Sequence, residues 1–214
     1  MKTTTNRITC ITTDHVEPDM ELEKREYAAA GIEFRSYHLR RATAQQLIET
    51  LAEADVLVVD QARITGDVLE GLPNCKLVIR HGDGYDNLDL EAATRLGIAC
   101  ANEPGFWSRE VAEQAFAMAL SVAFRLPVQQ DVARTARTGA DAGWELKRAM
   151  PFRSLGSQTV GIIGCGKIGA HAVELFKAVA KSVLVHDSYI DQAEIRKLGA
   201  EPVDLDTLLK ESDI

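Results

Sequence analysis

The sequence predicts an α/β protein with parallel sheets, arranged as two units. Two observations carry this. Over residues 1–100, short β-prone apolar runs alternate with helical stretches, the pattern of a parallel sheet covered on both faces. Further on, Thr159-Val160-Gly161-Ile162-Ile163 runs into a glycine-rich turn, a helical pattern and a second apolar run, Val183-Leu184-Val185. Runs this short and apolar suit buried parallel strands.

The elements follow in order. Ile8 to Thr12 is β-prone and predicts the first strand. Asp19 is placed to cap a helix from Met20 to Ala30, with Gly31 as its stop. Ile32, Phe34 and Ser36 alternate with Glu33, Arg35 and Tyr37 as in a strand. Thr43 caps a helix through Ala52, and Asp55 to Val59 is a buried strand. Thr65 to Leu69 reads as a short helix ended by Gly71 and Pro73. Lys76 to Arg80 extends again. Asp89 caps Leu90 to Leu96, Gly97 stops that helix, and Ile98 to Cys100 extends. Asn102-Glu103-Pro104-Gly105 is the candidate linker, giving units 1–100 and 101–214. Ser108 is then expected to cap a long helix through Leu126, closed by Pro127. Val111, Ala115, Phe116, Met118, Ala119, Leu120, Val122 and Phe124 make that helix apolar nearly all round. Such a helix is buried on more than one side, either inside the chain or across a homodimer interface. Gln129 to Phe152 is polar and reads as irregular.

The second unit carries a G-x-G-x-x-G pattern at Gly164, Gly166 and Gly169. The three letters alone are weak in a chain with 15 glycines. Their setting, after a strand and opening a helix, gives each a task. Gly164 permits the tight turn, Gly166 lets a pyrophosphate approach the backbone, and Gly169 allows close packing of helix on strand. The amides of Lys167 and Ile168, at the electropositive helix start, face the phosphates. Asp187, just past the second strand, can accept hydrogen bonds from an adenosine ribose. The same carboxylate would repel a 2′-phosphate, which favours NAD over NADP. The competing reading is a glycine-rich turn without ligand.

Composition narrows the partners. The chain has 214 residues, 46% hydrophobic and 26% charged, ordinary for a soluble globular protein. A net charge of −8 argues against broad nucleic-acid or anionic-membrane binding. Val111 to Leu126, interrupted by Glu113, Gln114 and Arg125, is too short and polar to span a bilayer. Met1 to Cys10 is polar and Thr-rich, unlike a secretory signal. Cys10, Cys75, Cys100 and Cys165 are scattered, without metal-ligand spacing, which suggests reduced thiols and a cytoplasmic setting. Cys165 sits at a helix start, either as a small filler of a tight loop or as a stabilised thiolate.

Two stretches resemble a known family. One is Arg80-His81-Gly82-Asp83-Gly84-Tyr85-Asp86-Asn87-Leu88-Asp89, continued by Glu91-Ala92-Ala93 and Leu96-Gly97-Ile98. The other comprises Asn102 to Gly105, Val111-Ala112-Glu113, Thr159 to Gly169 and His186-Asp187-Ser188-Tyr189. Together they resemble the D-isomer-specific 2-hydroxyacid dehydrogenases, which have the C-terminal-binding-protein corepressors as relatives. The resemblance implies a flavodoxin-like substrate domain over 1–100 and a C-terminally incomplete Rossmann NAD-binding domain over 101–214. It implies a homodimer through the Ser108–Leu126 helix. It makes Gly82-Asp83-Gly84 the loop whose backbone amides hold a substrate carboxylate in an interdomain cleft. Without the resemblance, that loop reads as a plain strand-end turn.

Asp83 departs from the family pattern, where a small or apolar residue is usual. A carboxylate beside a carboxylate site is expected to weaken acid binding. Ala178-Val179-Ala180-Lys181 departs too, where a glycine usually turns the helix into the next strand. The implied activity is NAD-dependent interconversion of a D-2-hydroxy acid and its 2-keto acid. The Arg, Glu and His that serve this chemistry in the family are expected beyond Ile214, so no catalytic residue is assigned here. His81, Arg80 and Arg109 read as surface or strand-end side chains. The expectation is of a fragment with one open apolar edge at Thr159 to Ile163. A corepressor or scaffold that senses NAD(H) on the same fold is the second reading.

Overall fold

The computed structural model describes residues 7–135 and 153–214. They fall into two compact units, divided between Phe106 and Trp107. The stretch 136–152, most of the segment read as irregular, lies outside the described residues.

The first unit runs β1 (Thr9–Thr12), α1 (Glu21–Ala29), β2 (Glu33–Ser36), α2 (Ala44–Leu51), β3 (Val56–Val59), α3 (Gly66–Glu70), β4 (Leu77–Arg80), α4 (Leu90–Leu96) and β5 (Ala99–Ala101). Its sheet has the order β2-β1-β3-β4-β5, parallel throughout. This is the flavodoxin-like order, whose direction reverses between β1 and β3. Ile11, Leu57, Val59 and Val78 from the sheet meet Leu47, Leu51 and Val68 from the helices in one core. Local signals set the ends. The Thr43 side chain accepts from the Gln46 amide, and the Gln46 side chain accepts from the Thr43 amide, a capping box. Asp89 accepts from the Ala92 amide at 2.9 Å. Gly97 ends α4 in the left-handed region at φ 70°.

Some ends differ from the sequence reading. Met20, not Asp19, is the residue before α1, and Asp19 instead holds the Glu21 amide at 3.1 Å. Thr65 precedes α3 without a side-chain cap.

The second unit runs α5 (Ser108–Ala123), α6 (Leu126–Thr135), a 3-10 turn (Leu155–Ser157), β6 (Thr159–Ile163), α7 (Lys167–Phe176), β7 (Ser182–His186), α8 (Gln192–Leu198), β8 (Glu201–Pro202) and α9 (Leu205–Glu211). Its parallel sheet has the order β6-β7-β8. Val160, Val183 and Val185 pack with Ala112 of α5, Val173 and Phe176 of α7 and Ile195 of α8. Phe116 meets the edge of Phe176 at a ring separation of 5.0 Å.

Three expectations are corrected here. Ser108 does not cap α5: Trp107 holds that position, and the Ser108 hydroxyl is buried in the first turn without a partner. Pro127 does not close the helical region. It sits in the first turn of α6, where its missing N–H costs nothing, and α6 leaves α5 at 61° after Arg125 at φ 52°. The edge of β6 is not fully open. Gly161 donates to the Ile214 carbonyl at 2.8 Å, Asp213 donates to the Thr159 carbonyl at 2.8 Å, and the Asp213 carboxylate takes the Thr159 amide.

The departure at Ala178 to Lys181 needs no left-handed residue. Val179 and Ala180 both donate to the Phe176 carbonyl, and Lys181 donates to Gln158 at 2.9 Å. Within its unit α5 buries only Ser108 and Ala112, while Val111, Met118 and Val122 are exposed. Among the described residues no single helix is long and apolar enough to cross a membrane.

Candidate functional site

The glycine-rich turn is built as its spacing implies. Gly164 adopts φ 90°, which a side chain resists, and its amide donates to the His186 carbonyl at 2.8 Å. A Cβ on Gly169 would overlap the Gly164 carbonyl oxygen and lie 2.9 Å from its carbon. The first turn of α7 therefore packs directly on the loop. A Cβ on Gly166 would meet open space. Gly166 immediately precedes α7, so the amides of Lys167 and Ile168 begin the helix beside that opening. This is a cradle of helix-start amides with bare backbone on one side, and it fits a diphosphate.

Asp187 stands beyond the end of β7 and is already engaged. Its Oδ2 accepts from the Cys165 amide at 2.6 Å, and its Oδ1 accepts from Tyr189 and Ile190 at 2.7 and 2.9 Å. These amides, Cys165 first, hold its carboxyl below the usual carboxylate range. The acid faces solvent and stays ionised, with lone pairs left for ribose hydroxyls. Cys165 is buried, and burial together with the Asp187 charge pushes its thiol up. Both effects argue against a stabilised thiolate and favour the small filler.

In the first unit, Gly82-Asp83-Gly84 follows β4 directly. Gly82 adopts φ 144° and its amide turns back onto the Arg80 carbonyl at 2.9 Å. Gly82 thus supplies conformation rather than a donor, and the amides of Asp83 and Gly84 form no partner among the described residues. Two contacts fix the loop: Glu103 donates to the Gly82 carbonyl at 3.0 Å, and the Asn102 side chain donates to the Asp83 carbonyl at 2.7 Å. A hollow of about 120 Å³ lies beside it, lined by Tyr85, Leu88, Leu90, Cys100, Ala101 and Asn102.

The carboxyl ends of β1 and β3, at the sheet's switch point, hold residues the sequence did not single out. Buried Asp14 collects the amides of Asp60, Gln61 and Ala62 and the Thr13 hydroxyl. Asn87 donates to the carbonyls of Asp60 and Ala62, at 3.2 and 2.9 Å. Arg80, read as a solvated charge, is largely buried: its side chain is 14% exposed and lies 3.6 Å from Asp60, itself 15% exposed. Long-range partners such as these leave no local pattern to read. His81 and Arg109 are surface side chains; Arg109 pairs with Glu113 across one helical turn.

The comparisons with known proteins agree with this geometry. The model of the D-isomer specific 2-hydroxyacid dehydrogenase catalytic domain matches residues 10–184. A D-3-phosphoglycerate dehydrogenase of Archaeoglobus fulgidus is 33% identical over 171 residues, 79% of this chain and 31% of that one. A hydroxypyruvate reductase of Thermotoga maritima is 34% identical over 183 residues, 85% of this chain and 56% of that one. The chain thus spans between about a third and just over half of these relatives. The solved structure of D-lactate dehydrogenase from Aquifex aeolicus, complexed with NAD and lactic acid, superposes with a TM-score of 0.80. It is 25% identical and covers 95% of this chain and 58% of that one. The turn, the sheet order and these matches coincide over most of the sequence: the chain belongs to the D-isomer specific 2-hydroxyacid dehydrogenase family.

Proposed function

We propose that this chain carries the cofactor site and the substrate-carboxylate loop of an NAD-dependent oxidoreductase. The whole protein would interconvert a D-2-hydroxy acid and its 2-keto acid. The observation that carries the reading is the Gly164–Gly169 turn: α7 touches it through a Cβ-free residue and leaves bare backbone at Gly166. The amides of Lys167 and Ile168 would hold the diphosphate. Asp187 would hold the adenosine ribose and repel a 2′-phosphate. The unpaired amides of Asp83 and Gly84 would bind the substrate carboxylate, with Gly82 setting their direction.

NAD, when bound, supplies or accepts the hydride. The carbonyl so reduced needs a proton partner, and we assign that task to no residue of this sequence. The relative with NAD and lactic acid in its structure supports the cofactor and the substrate class. The exposed apolar side of α5, with Met118 and Val122, would pair with a second copy of the chain.

The test is calorimetric titration of the 214-residue chain with NAD and with NADP. Saturable NAD binding, at least tenfold tighter than NADP, is expected from the Asp187 charge (about 1.4 kcal/mol per factor of ten). No NAD binding by a folded chain overturns the reading.

A further inference from the structure

Arg80 closes β4 and carries the loop that follows. Its Nη1 donates to the His81 carbonyl and lies against the Cα of Gly82, where a Cβ would overlap it and stand 3.0 Å from Cζ. Its Nε is buried without a partner. The nearest carboxylate, Asp60, is 3.6 Å away, longer than a direct hydrogen bond, so the charge is only partly answered. Asp60 itself is fixed through its backbone, which Asp14 and Asn87 hold. A guanidinium this buried is weakly screened, so its field reaches the adjoining loop. That loop contains Asp83, a carboxylate the carboxylate-binding function does not explain.

We propose that Arg80 is the positioning residue of the Gly82–Gly84 loop, and that its buried positive charge offsets Asp83 so that an anionic substrate group can bind there. Asp60 is the counter-charge that sets how much of the Arg80 field reaches the loop. This rests on the loop being the carboxylate site, as proposed above.

The test uses the 214-residue chain, with oxamate as a non-reacting 2-keto acid mimic, read at the Asp83 and Gly84 amides by NMR. Arg80→Met is expected to weaken oxamate at least tenfold, the scale of one charge at a partly buried site. Arg80→Lys, which keeps the charge, is expected to stay within about threefold of the original. Adding Asp83→Asn to Arg80→Met is expected to restore most of the affinity, which a purely structural role for Arg80 would not produce. Should Arg80→Met not fold, Asp60→Asn decides: tighter oxamate binding supports the inference, and unchanged or weaker binding overturns it. Unchanged binding in Arg80→Met also overturns it, and leaves the carboxylate loop standing. If the amides of the original chain ignore oxamate, the carboxylate reading fails and the inference fails with it.

Discussion

Replacing Gly169 by alanine separates fold from binding when set beside the same change at Gly166. The new methyl at position 169 would overlap the Gly164 carbonyl oxygen, with the carbonyl carbon at 2.9 Å. Both atoms are backbone, so no rotamer change relieves the clash, and α7 must lift from the loop. Overpacking costs typically about 1–3 kcal/mol, and a backbone clash belongs at the upper end. Alanine's better helix propensity returns up to about 1 kcal/mol. The net loss is about 2 kcal/mol, which lowers the melting temperature of a unit this size by ~8–16 °C. At position 166 the methyl meets nothing within 4 Å, and φ is −66°, so stability should hold to within about 1 kcal/mol. That methyl would instead occupy the space a diphosphate needs. Thermal unfolding and NAD titration of both variants read the two effects. Gly169→Ala melting with the original chain would refute the helix-on-loop contact. Gly166→Ala binding NAD undiminished would refute the position given to the diphosphate.

Other outcomes follow from the same geometry. Asp187 is held below its ordinary range, so its stabilising bonds are present above its unfolded pKa, near about 4, and lost as pH falls through the folded value. Asp187→Asn should therefore melt lower than the original at pH 7, with the difference shrinking as pH falls below the ordinary carboxylate range; a gap that stays constant on acidification would contradict the linkage. Asp83→Ala should tighten oxamate binding, by removing a like charge from the loop, and an unchanged or weaker affinity counts against repulsion there. Thr43→Ala removes half of a capping box and should cost about 1 kcal/mol in chemical denaturation. A loss below about 0.3 kcal/mol would show that α2 is held by Leu47 and Leu51 alone.

Much of this structure was readable because its causes are local. Thr43 with Gln46, Asp89 with Ala92, and Gly97 lie within a few residues of what they control. Gly164, Gly166 and Gly169 could be read because strand, turn and helix share one contiguous stretch. The misreadings have physical reasons. Ser108 is a good capping residue placed one position too late, and the chain buries its hydroxyl unpaired. Pro127 stops a helix only in its interior, and here it helps open one. The carboxyl edge of the first sheet was invisible. Asp14 reaches amides 46 to 48 residues away, and Asn102 reaches back 19 residues to Asp83. Arg80 looked solvated because the carboxylate it approaches, Asp60, lies far back in the sequence.

The grip of Asp187 on Cys165 has a bearing on redesign. Under the proposed function one side chain would serve both as latch for the loop and as selector for the sugar, so the two tasks could not be altered separately. Swapping the acid for a neutral residue to admit a phosphorylated ribose would also unfasten the Cys165 amide. A successful conversion to NADP would need a second change that offers that amide a new acceptor.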